Sequence, residues 1–309
     1  MNTGAKASRA QMRAADESGV PARLYGLRRP TRILVNGLAA AFALFILAPL
    51  VWLVINSTKS QASLYNSFGF WFSGSFQLWQ NLAALGQDVS GAGVFTQWFG
   101  NTLLYAIVGG AGATALSALA GYGFSRYRFA GSQALFMVVM STLMIPLTAV
   151  ALPLFLVYSK VGLVNSVWGM ILPSMVSPIG IYLMRTYISA SVPREVMEAA
   201  RMDGASEFGI FTRIAVPLSV PGLVTVFLLT LVAIWNNYFL PLMIFSKSKF
   251  YPLTVGLSAL SRAAETGSKA DVVPVLITGG LVTILPLIVL FVLLQRYFRG
   301  GLLQGSTTG

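Results

Sequence analysis

The chain has 309 residues, of which 56% are apolar and 10% are charged, with 21 Lys and Arg against nine Asp and Glu. Soluble proteins are usually about 45–50% apolar and about 25% charged, so these proportions exclude a water-soluble globular protein. The sequence contains no Cys and no His, which excludes thiolate chemistry, imidazole catalysis and nearly all zinc sites.

Six long segments contain no Asp, Glu, Lys or Arg, and each is long enough to cross about 30 Å of hydrocarbon as a helix. The segments are 33–56, 89–125, 129–159, 161–184, 214–246 and 272–295. The basic residues lie between these runs and are not clustered in polar stretches, which argues against nucleic-acid binding. The sequence therefore predicts an all-α, polytopic membrane protein, with six transmembrane helices in a domain that covers residues 33–296.

The predicted orientation follows from the Lys and Arg in the loops. Residues 1–32 carry seven of them among small and polar residues, and we expect this tail to be disordered and cytoplasmic. The first apolar run exceeds the core of a signal peptide, so we interpret it as an uncleaved span. The N-terminal tail, the loops on its side and the C-terminus together carry 15 Lys and Arg, against six in the loops on the other side. The positive-inside rule then places both termini in the cytoplasm, including the tail 297–309.

Two of the predicted spans have unusual compositions. The second is rich in small residues around Gly109, Gly110 and Ala113, which is typical of a helix that packs closely against other membrane helices. The fifth is too long for one straight crossing. Its prolines suggest a start at Pro217 and Pro221 and a kink or an end at Pro241.

The predicted spans contain no ionisable side chain, whereas ion-coupled carriers usually place one at bilayer depth. This composition disfavours a secondary transporter. A self-sufficient carrier or channel remains the alternative, although no ion site or filter is visible. The sequence also lacks the G-x-x-x-x-G-K-[ST] loop that binds nucleotide phosphates, so another subunit would have to bind ATP.

The loop 193–217 between the fourth and fifth spans predicts two short helices. Pro193 suits the first turn of a helix, Gly204 suits a left-handed cap at its end, and a second helix is predicted from Ser206. Asp203 falls in the last turn of the first helix, where the helix dipole disfavours an anion, so a compensating cation is expected. Composition alone would also fit a solvated surface loop.

The spacing within this loop resembles a known motif. Glu198-Ala199-Ala200, three residues, Gly204, nine residues and then Ile214-x-Val216-Pro217 resemble the EAA loop of ATP-binding-cassette importer permeases, with Val216 in place of Leu. The resemblance covers nearly all of the chain from residue 33, and it is closest to the carbohydrate-uptake permeases typified by the six-span maltose-transporter subunit. The further matching motifs are Gly121-Tyr-Gly-Phe-Ser-Arg-Tyr-Arg-Phe-Ala-Gly131, Met144-Ile-Pro146, Leu152-Pro-Leu154, Gly162-Leu-Val-Asn165, Gln295-Arg-Tyr-Phe-Arg-Gly300 and the ending Gly305-Ser-Thr-Thr-Gly309, where Thr308 replaces the usual Lys.

The resemblance implies a type I importer permease fold and a role in sugar uptake by alternating access, in the inner membrane of a bacterium or archaeon. It also implies a second permease subunit, two ATPase subunits that bind ATP, an extracytoplasmic solute-binding protein and membrane lipid as partners. It implies no catalytic residue, cofactor or metal in this chain. The residues expected to couple the ATPase to the spans are Glu198, Ala199, Ala200, Asp203, Gly204, Ile214 and Pro217.

A second candidate site lies inside the predicted fifth span. Trp235, Asn236, Asn237 and Tyr238 could offer amides and aromatic faces to a sugar on its pathway. The alternative is structural, because Asn within the membrane commonly hydrogen-bonds to a neighbouring helix.

Overall fold

The computed structural model describes residues 29–88, 91, 93–146, 148–266 and 272–301, and these residues form helices and connections without a strand. The chain divides into two units, residues 1–55 and 56–309. The first unit contains most of α1 (Arg29–Asn56), an apolar helix of 28 residues. Residues 29–32 of the predicted tail form its first turn. The rest of that tail lies outside the described residues.

The second unit contains the remaining helices. They are α2 (Gln61–Asn66), α3 (Leu78–Ala84), α4 (Phe95–Arg126), α5 (Ser132–Ser141), α6 (Ala151–Lys160), α7 (Val167–Ser174), α8 (Pro178–Ser191), α9 (Arg194–Met202), α10 (Glu207–Ile210), α11 (Val216–Leu218), α12 (Val220–Trp235), α13 (Phe239–Ile244), α14 (Leu253–Glu265) and α15 (Val272–Gly301). Single 3-10 turns cover Thr142–Met144 and Ser248–Phe250, and a π turn covers Phe211–Ala215.

Helix α4 is central to this unit, since α7, α8, α12 and α14 all pack against it. Its small residues allow close approach, as predicted. A Cβ atom added at Gly109 would lie 3.0 Å from both the Cδ1 atom of Ile234 and the Cβ atom of Ser174. Gly109, Gly110 and Ala113 are buried, which confirms that this face of the second span packs against other helices.

Four helical segments among the described residues are long and apolar enough to cross a membrane: Pro30–Asn56, Phe95–Arg126, Val167–Ser191, which contains α7 and α8, and Val272–Gln295. A fifth candidate is the pair Glu207–Leu218 and Val220–Trp235, whose two parts are bent by 79°. The all-α membrane architecture is confirmed, but the predicted count of six spans is not.

The predicted third span, 129–159, is divided into α5 with its 3-10 turn and, after a break, α6. Proline accounts for the break. Ile145 is extended, with φ −86° and ψ 115°, because the ring of Pro146 disfavours a helical conformation in the residue before it. Neither part alone has the length of a full crossing.

The predicted boundaries of the fourth span need correction. The helical segment runs to Ser191, so Arg185 lies within a candidate span and not in the loop that follows. The expectation that the spans contain no ionisable side chain is therefore wrong here. The guanidinium carbon of Arg185 lies 4.0 Å from the centre of the Phe136 ring, so an aromatic face on α5 partners this cation.

The fifth span is shorter than predicted. Residues 214–218 belong to the segment before the 79° bend, and α12 begins at Val220 with Pro221 in its first turn. Pro221 has no amide hydrogen and its ring crowds the preceding turn, which favours a new helix at this point. Only Pro221 of the predicted pair marks the start, since Pro217 lies in α11. Pro241 lies within α13, after a break at 236–238.

Candidate coupling loop and polar cavity

The loop 193–217 forms the predicted helix–turn–helix. After α9, Gly204 has φ +80°. Its amide donates to the carbonyl of Arg201, and the amide of Ala205 donates to the carbonyl of Ala200, each at 3.0 Å. These two bonds define a Schellman turn, which requires a left-handed residue at the position of Gly204. The predicted left-handed cap is confirmed.

The second helix begins as predicted. The Ser206 Oγ atom accepts a hydrogen bond of 3.1 Å from the amide of Gly209, and α10 starts at Glu207. Serine at this position satisfies an amide that has no partner within the helix. Two short helices are thus fixed on either side of one glycine, and the turn between them is exposed.

Two buried side chains attach this loop to the spans. Met197 on α9 and Ile210 on α10 are buried in a cluster with Tyr122, Met184 and Ile188, which belong to α4 and α8. A displacement of α9 and α10 must therefore move the ends of α4 and α8 or break this packing, since close-packed interiors transmit strain.

The predicted coupling residues occupy two environments. Glu198, Ala199, Asp203, Gly204 and Pro217 are exposed, whereas Ala200 and Ile214 are partly buried against the cluster.

Glu198 and Asp203 make no side-chain hydrogen bond or ion pair with a described residue, so the cation expected near Asp203 is not found among the residues that the structure covers. Both carboxylates are left facing solvent beside the turn.

One contact of the loop, with the end of α4, was not predicted from the sequence. The Arg201 Nε atom donates to the Glu207 Oε1 atom at 2.6 Å, and its Nη2 atom donates to Oε2 at 3.2 Å. The hydroxyl of Tyr127, which caps the end of α4, donates to the same Oε2 atom at 2.6 Å. Tyr127 and Glu207 are 80 residues apart, and no local pattern relates them.

The charge state of Glu207 follows from these bonds. Hydrogen bonds from Arg201 and then from Tyr127 lower the pKa of the Glu207 carboxyl, because they favour its ionised form. The contact is therefore intact above the ordinary pKa range of Glu, and it is lost only as the pH falls through the lowered value. The side chains of Arg201 and Glu207 are exposed, so this contact orients the turn more than it stabilises the fold.

A second contact at the end of α4 involves Arg126. Its Nη2 atom donates to the carbonyl oxygens of Ile188 and Val192 at the end of α8. The carbonyl of Ile188 also accepts from the amide of Val192 at 3.2 Å, and a cation at these last carbonyls interacts favourably with the helix dipole. Because Val192 lies two residues before α9, this bond fixes the point where the coupling loop begins.

Two large apolar side chains at the turn are exposed. Met202 is 88% exposed and Phe208 is 72% exposed, and exposed Ala199 and Ala205 lie nearby in the sequence. Large apolar side chains at this exposure usually mark a contact with another protein.

The other predicted site, Trp235 to Tyr238, lies where the fifth span is broken. Trp235 ends α12 and is only 2% exposed, with its ring edge-on to that of Phe99 at 6.1 Å. The Asn236 side chain donates to the carbonyl of Val232 at 2.8 Å, and the Tyr238 hydroxyl bonds to Ser258 Oγ at 3.1 Å. These contacts favour the structural alternative for Trp235, Asn236 and Tyr238.

Asn237 differs from its neighbours, because it lines a cavity of about 320 Å³. The cavity is bounded by α6, the α7–α8 connection, α12 and α13. Its polar lining residues are Tyr158, Ser174, Ser177, Thr230 and Asn237. Of the four residues predicted for the pathway, the structure places only Asn237 at this cavity.

Comparison with known proteins identifies the family. Residues 113–303 match the family described as "Binding-protein-dependent transport system inner membrane component". The chain belongs to this family. It is 37% identical over 218 residues to the arabinooligosaccharides transport system permease protein AraQ of Halalkalibacterium halodurans, a match that covers 71% of this chain and 76% of AraQ. It is 31% identical over 274 residues to the lactose transport system permease protein LacG of Rhizobium radiobacter, a match that covers 87% of this chain and 93% of LacG.

A solved structure supports the same assignment. The permease fold resembles a chain of a bacterial ABC transporter involved in the import of the acidic polysaccharide alginate, with a TM-score of 0.76 and 25% sequence identity. The match covers 88% of this chain and 99% of that chain. The protein is thus a multi-pass membrane permease subunit of a binding-protein-dependent ABC importer, as the EAA-like spacing of the loop predicts.

Proposed function

We propose that this permease imports sugars and converts ATP hydrolysis on partner ATPase subunits into alternating access of its spans. The observation that carries the proposal is the exposed turn at Gly204, which is flanked by two helices anchored in the core by Met197 and Ile210. The similarity to the arabinooligosaccharide permease AraQ and the lactose permease LacG supports a saccharide as the solute. The partners are a second permease, two ATPases and an extracytoplasmic solute-binding protein.

The coupling loop, residues 193–217, is proposed as the ATPase contact. Ala199 has a small side chain, which permits close seating of α9 in a cleft, and the exposed Met202 and Phe208 supply apolar contact area. Glu198 and Asp203 can then bind donors on the ATPase, because no described residue pairs with them. When the ATPases close on nucleotide, movement of α9 and α10 is transmitted through Met197 and Ile210 to α4 and α8.

In this proposal the ATPase subunits hydrolyse ATP, and the permease itself catalyses no covalent reaction. ATP is bound by the partner subunits, and the chain itself is proposed to carry no catalytic residue, cofactor or metal. Among the described residues, no group of three or more acidic side chains could hold a metal ion.

Reconstitution tests the proposed function. The cognate solute-binding protein is first screened by thermal shift against arabinotriose, maltotriose, lactose and trigalacturonate. Uptake of the saccharide that binds is then measured in proteoliposomes. We expect uptake only with ATP, the binding protein and all four membrane-associated subunits, and none with this chain alone. Transport by the isolated chain would favour the alternative, a self-sufficient carrier. Failure of every saccharide to bind would contradict the choice of solute.

The proposed location is the inner membrane of a bacterium or archaeon, with both termini in the cytoplasm. Because the chain contains no Cys, single Cys substitutions report orientation directly. We expect a membrane-impermeant maleimide to label Asn66→Cys and Thr266→Cys in intact cells, but to label Ser206→Cys only after permeabilisation. Labelling of Ser206→Cys from outside would contradict the proposed orientation, because the turn at Gly204 would then lie on the side of the membrane away from the ATPases.

A further inference from the structure

The cavity beside Asn237 lies where two helices are interrupted. Helix α7 ends at Ser174 and α8 begins at Pro178, while α12 ends at Trp235 and α13 begins at Phe239. Both interruptions contribute to its wall, through Val176 and Ser177 on one side and Asn237 on the other. Non-helical backbone in a membrane protein is tolerated where it is buried in protein or lines a water-filled cavity.

Two side chains in the wall have unused hydrogen-bonding groups. No described residue bonds to the hydroxyl of Tyr158, although the residue is only 6% exposed. The Asn237 Oδ1 atom accepts from the amide of Leu240 at 3.3 Å, and its Nδ2 atom has no partner among the residues that the structure describes. Asn237 is half-buried. The cavity thus presents a hydroxyl and an amide NH2 that have no partner among the described residues and can bind a molecule that enters it.

The wall has three further hydroxyl groups, and that of Ser177 accepts from the amide of Gly180 at 3.1 Å. The hydroxyl of Ser174 donates to the carbonyl of Met170 at 2.7 Å, and that of Thr230 donates to the carbonyl of Val226 at 2.8 Å. With the proton used in this way, each oxygen keeps lone pairs that can accept a bond. Donors and acceptors therefore occur together around one space, as a polyhydroxylated ligand requires.

The cavity also has no charge. None of the described residues that line it is Asp, Glu, Lys or Arg, and the rest of the wall is apolar, with Leu154, Ile234 and Leu240 among its members. A charged solute without a counter-charge would be costly to desolvate here. The volume of about 320 Å³ is at the lower end of the range of small-molecule sites, about 300–1,000 Å³, so it fits part of an oligosaccharide.

We propose that this cavity is a transient contact site for a neutral saccharide in transit, where Tyr158 and Asn237 bind its hydroxyl groups. The inference rests on the proposed function and adds a site and a charge class to it. The acidic polysaccharide imported by the structural relative is then not the expected kind of solute for this chain.

The binding-protein screen under the proposed function distinguishes failure of the sugar-importer proposal from failure of the proposed neutral-saccharide site. Binding of a neutral saccharide supports both, and binding of trigalacturonate alone retains the sugar importer but contradicts the neutral site. Absence of any saccharide ligand contradicts the proposed function itself. The neutral saccharide that binds is then the probe for the variants.

The variants are Tyr158→Phe, which removes only the hydroxyl, and Asn237→Ala. The matched control is Tyr182→Phe, since Tyr182 is exposed on α8 and does not line the cavity. We expect uptake per ATP hydrolysed to fall about 2- to 10-fold in the first two, which is the loss expected for one hydrogen bond. Binding-protein-stimulated ATPase activity should stay near native, and the control should not change.

A purely structural role would lower uptake and ATPase activity together, and that result would overturn the inference. Unchanged uptake in both variants would overturn it as well. Occupancy is measured directly with Ala233→Cys, because Ala233 is exposed and lines the same cavity. In the complete importer, the neutral saccharide should slow its labelling by maleimide. Labelling at the same rate with and without saccharide would contradict binding at this site.

Discussion

Replacement of Gly204 by Val is expected to abolish uptake while the subunit remains inserted in the membrane. Gly204 has φ +80°, and a Cβ atom added there would have no neighbour within 4 Å. The effect therefore comes from the backbone alone, because a left-handed conformation costs a residue with a Cβ atom about 1–2 kcal/mol, and a β-branched one at least that. Relief of this strain would break the bond from Ala205 to Ala200 and redirect α10.

The matched variant is Gly204→Asn, because asparagine tolerates the left-handed conformation. Uptake and binding-protein-stimulated ATPase activity are measured together in proteoliposomes of the complete importer. We expect Gly204→Asn to retain most of both activities, and Gly204→Val to lose uptake because hydrolysis is no longer connected to the spans. If Gly204→Val transports at nearly the native rate, the turn is only a solvated connector.

The second large effect is expected at Gly121, where α4 crosses α8. A Cβ atom added at this position would lie 2.7 Å from both the amide nitrogen of Arg185 and the Cβ atom of Met184. Because one of these atoms is backbone, α8 would have to move away, and overpacking of this kind costs about 1–3 kcal/mol. Gly121→Ala is therefore expected to lower the unfolding temperature of the purified permease and to impair coupling, since Met184 belongs to the same buried cluster as Met197 of the loop.

Gly123 provides a control on the same helix. A Cβ atom added there would have nothing within 4 Å, so Gly123→Ala should leave the unfolding temperature unchanged or raise it, because alanine is favoured over glycine in a helix by up to about 1 kcal/mol. The comparison is made by thermal unfolding in one detergent. Equal unfolding temperatures for Gly121→Ala and Gly123→Ala would show that the helices can adjust, and would contradict the close approach of α4 and α8.

Contacts at the end of α4 hold the coupling loop on both sides of its turn. Arg126 bonds to the last carbonyls of α8, and Tyr127 bonds to Glu207 on the loop. Arg126 thus contacts the segment before α9, and the adjacent Tyr127 contacts α10, the helix after the turn. We infer that α4, α8 and the loop respond to the ATPases as one body, with Met197 and Ile210 as its apolar contacts.

Local sequence determined the features that depend on local physics. The apolar runs specified membrane helices because the backbone must satisfy its own hydrogen bonds in lipid. The turn at Gly204 was predictable because glycine avoids the steric penalty of positive φ. The cap at Ser206 was predictable for a similar reason, since a nearby hydroxyl can satisfy an amide at the start of a helix.

Only the tertiary structure decided which distant residues meet and how the interrupted spans are arranged. Tyr127 reaches Glu207 across 80 residues, and Tyr158 shares a cavity with Asn237. The third predicted span is divided near Pro146, and the fifth is bent by 79° before α12. Apolar composition is the same in a continuous helix and in a broken one, so hydrophobic runs do not report these interruptions. Local hydrogen bonds compensate at these breaks, since the amide of Ile145 donates to the carbonyl of Thr142 at 3.3 Å and that of Ser219 donates to the carbonyl of Ala215 at 3.1 Å.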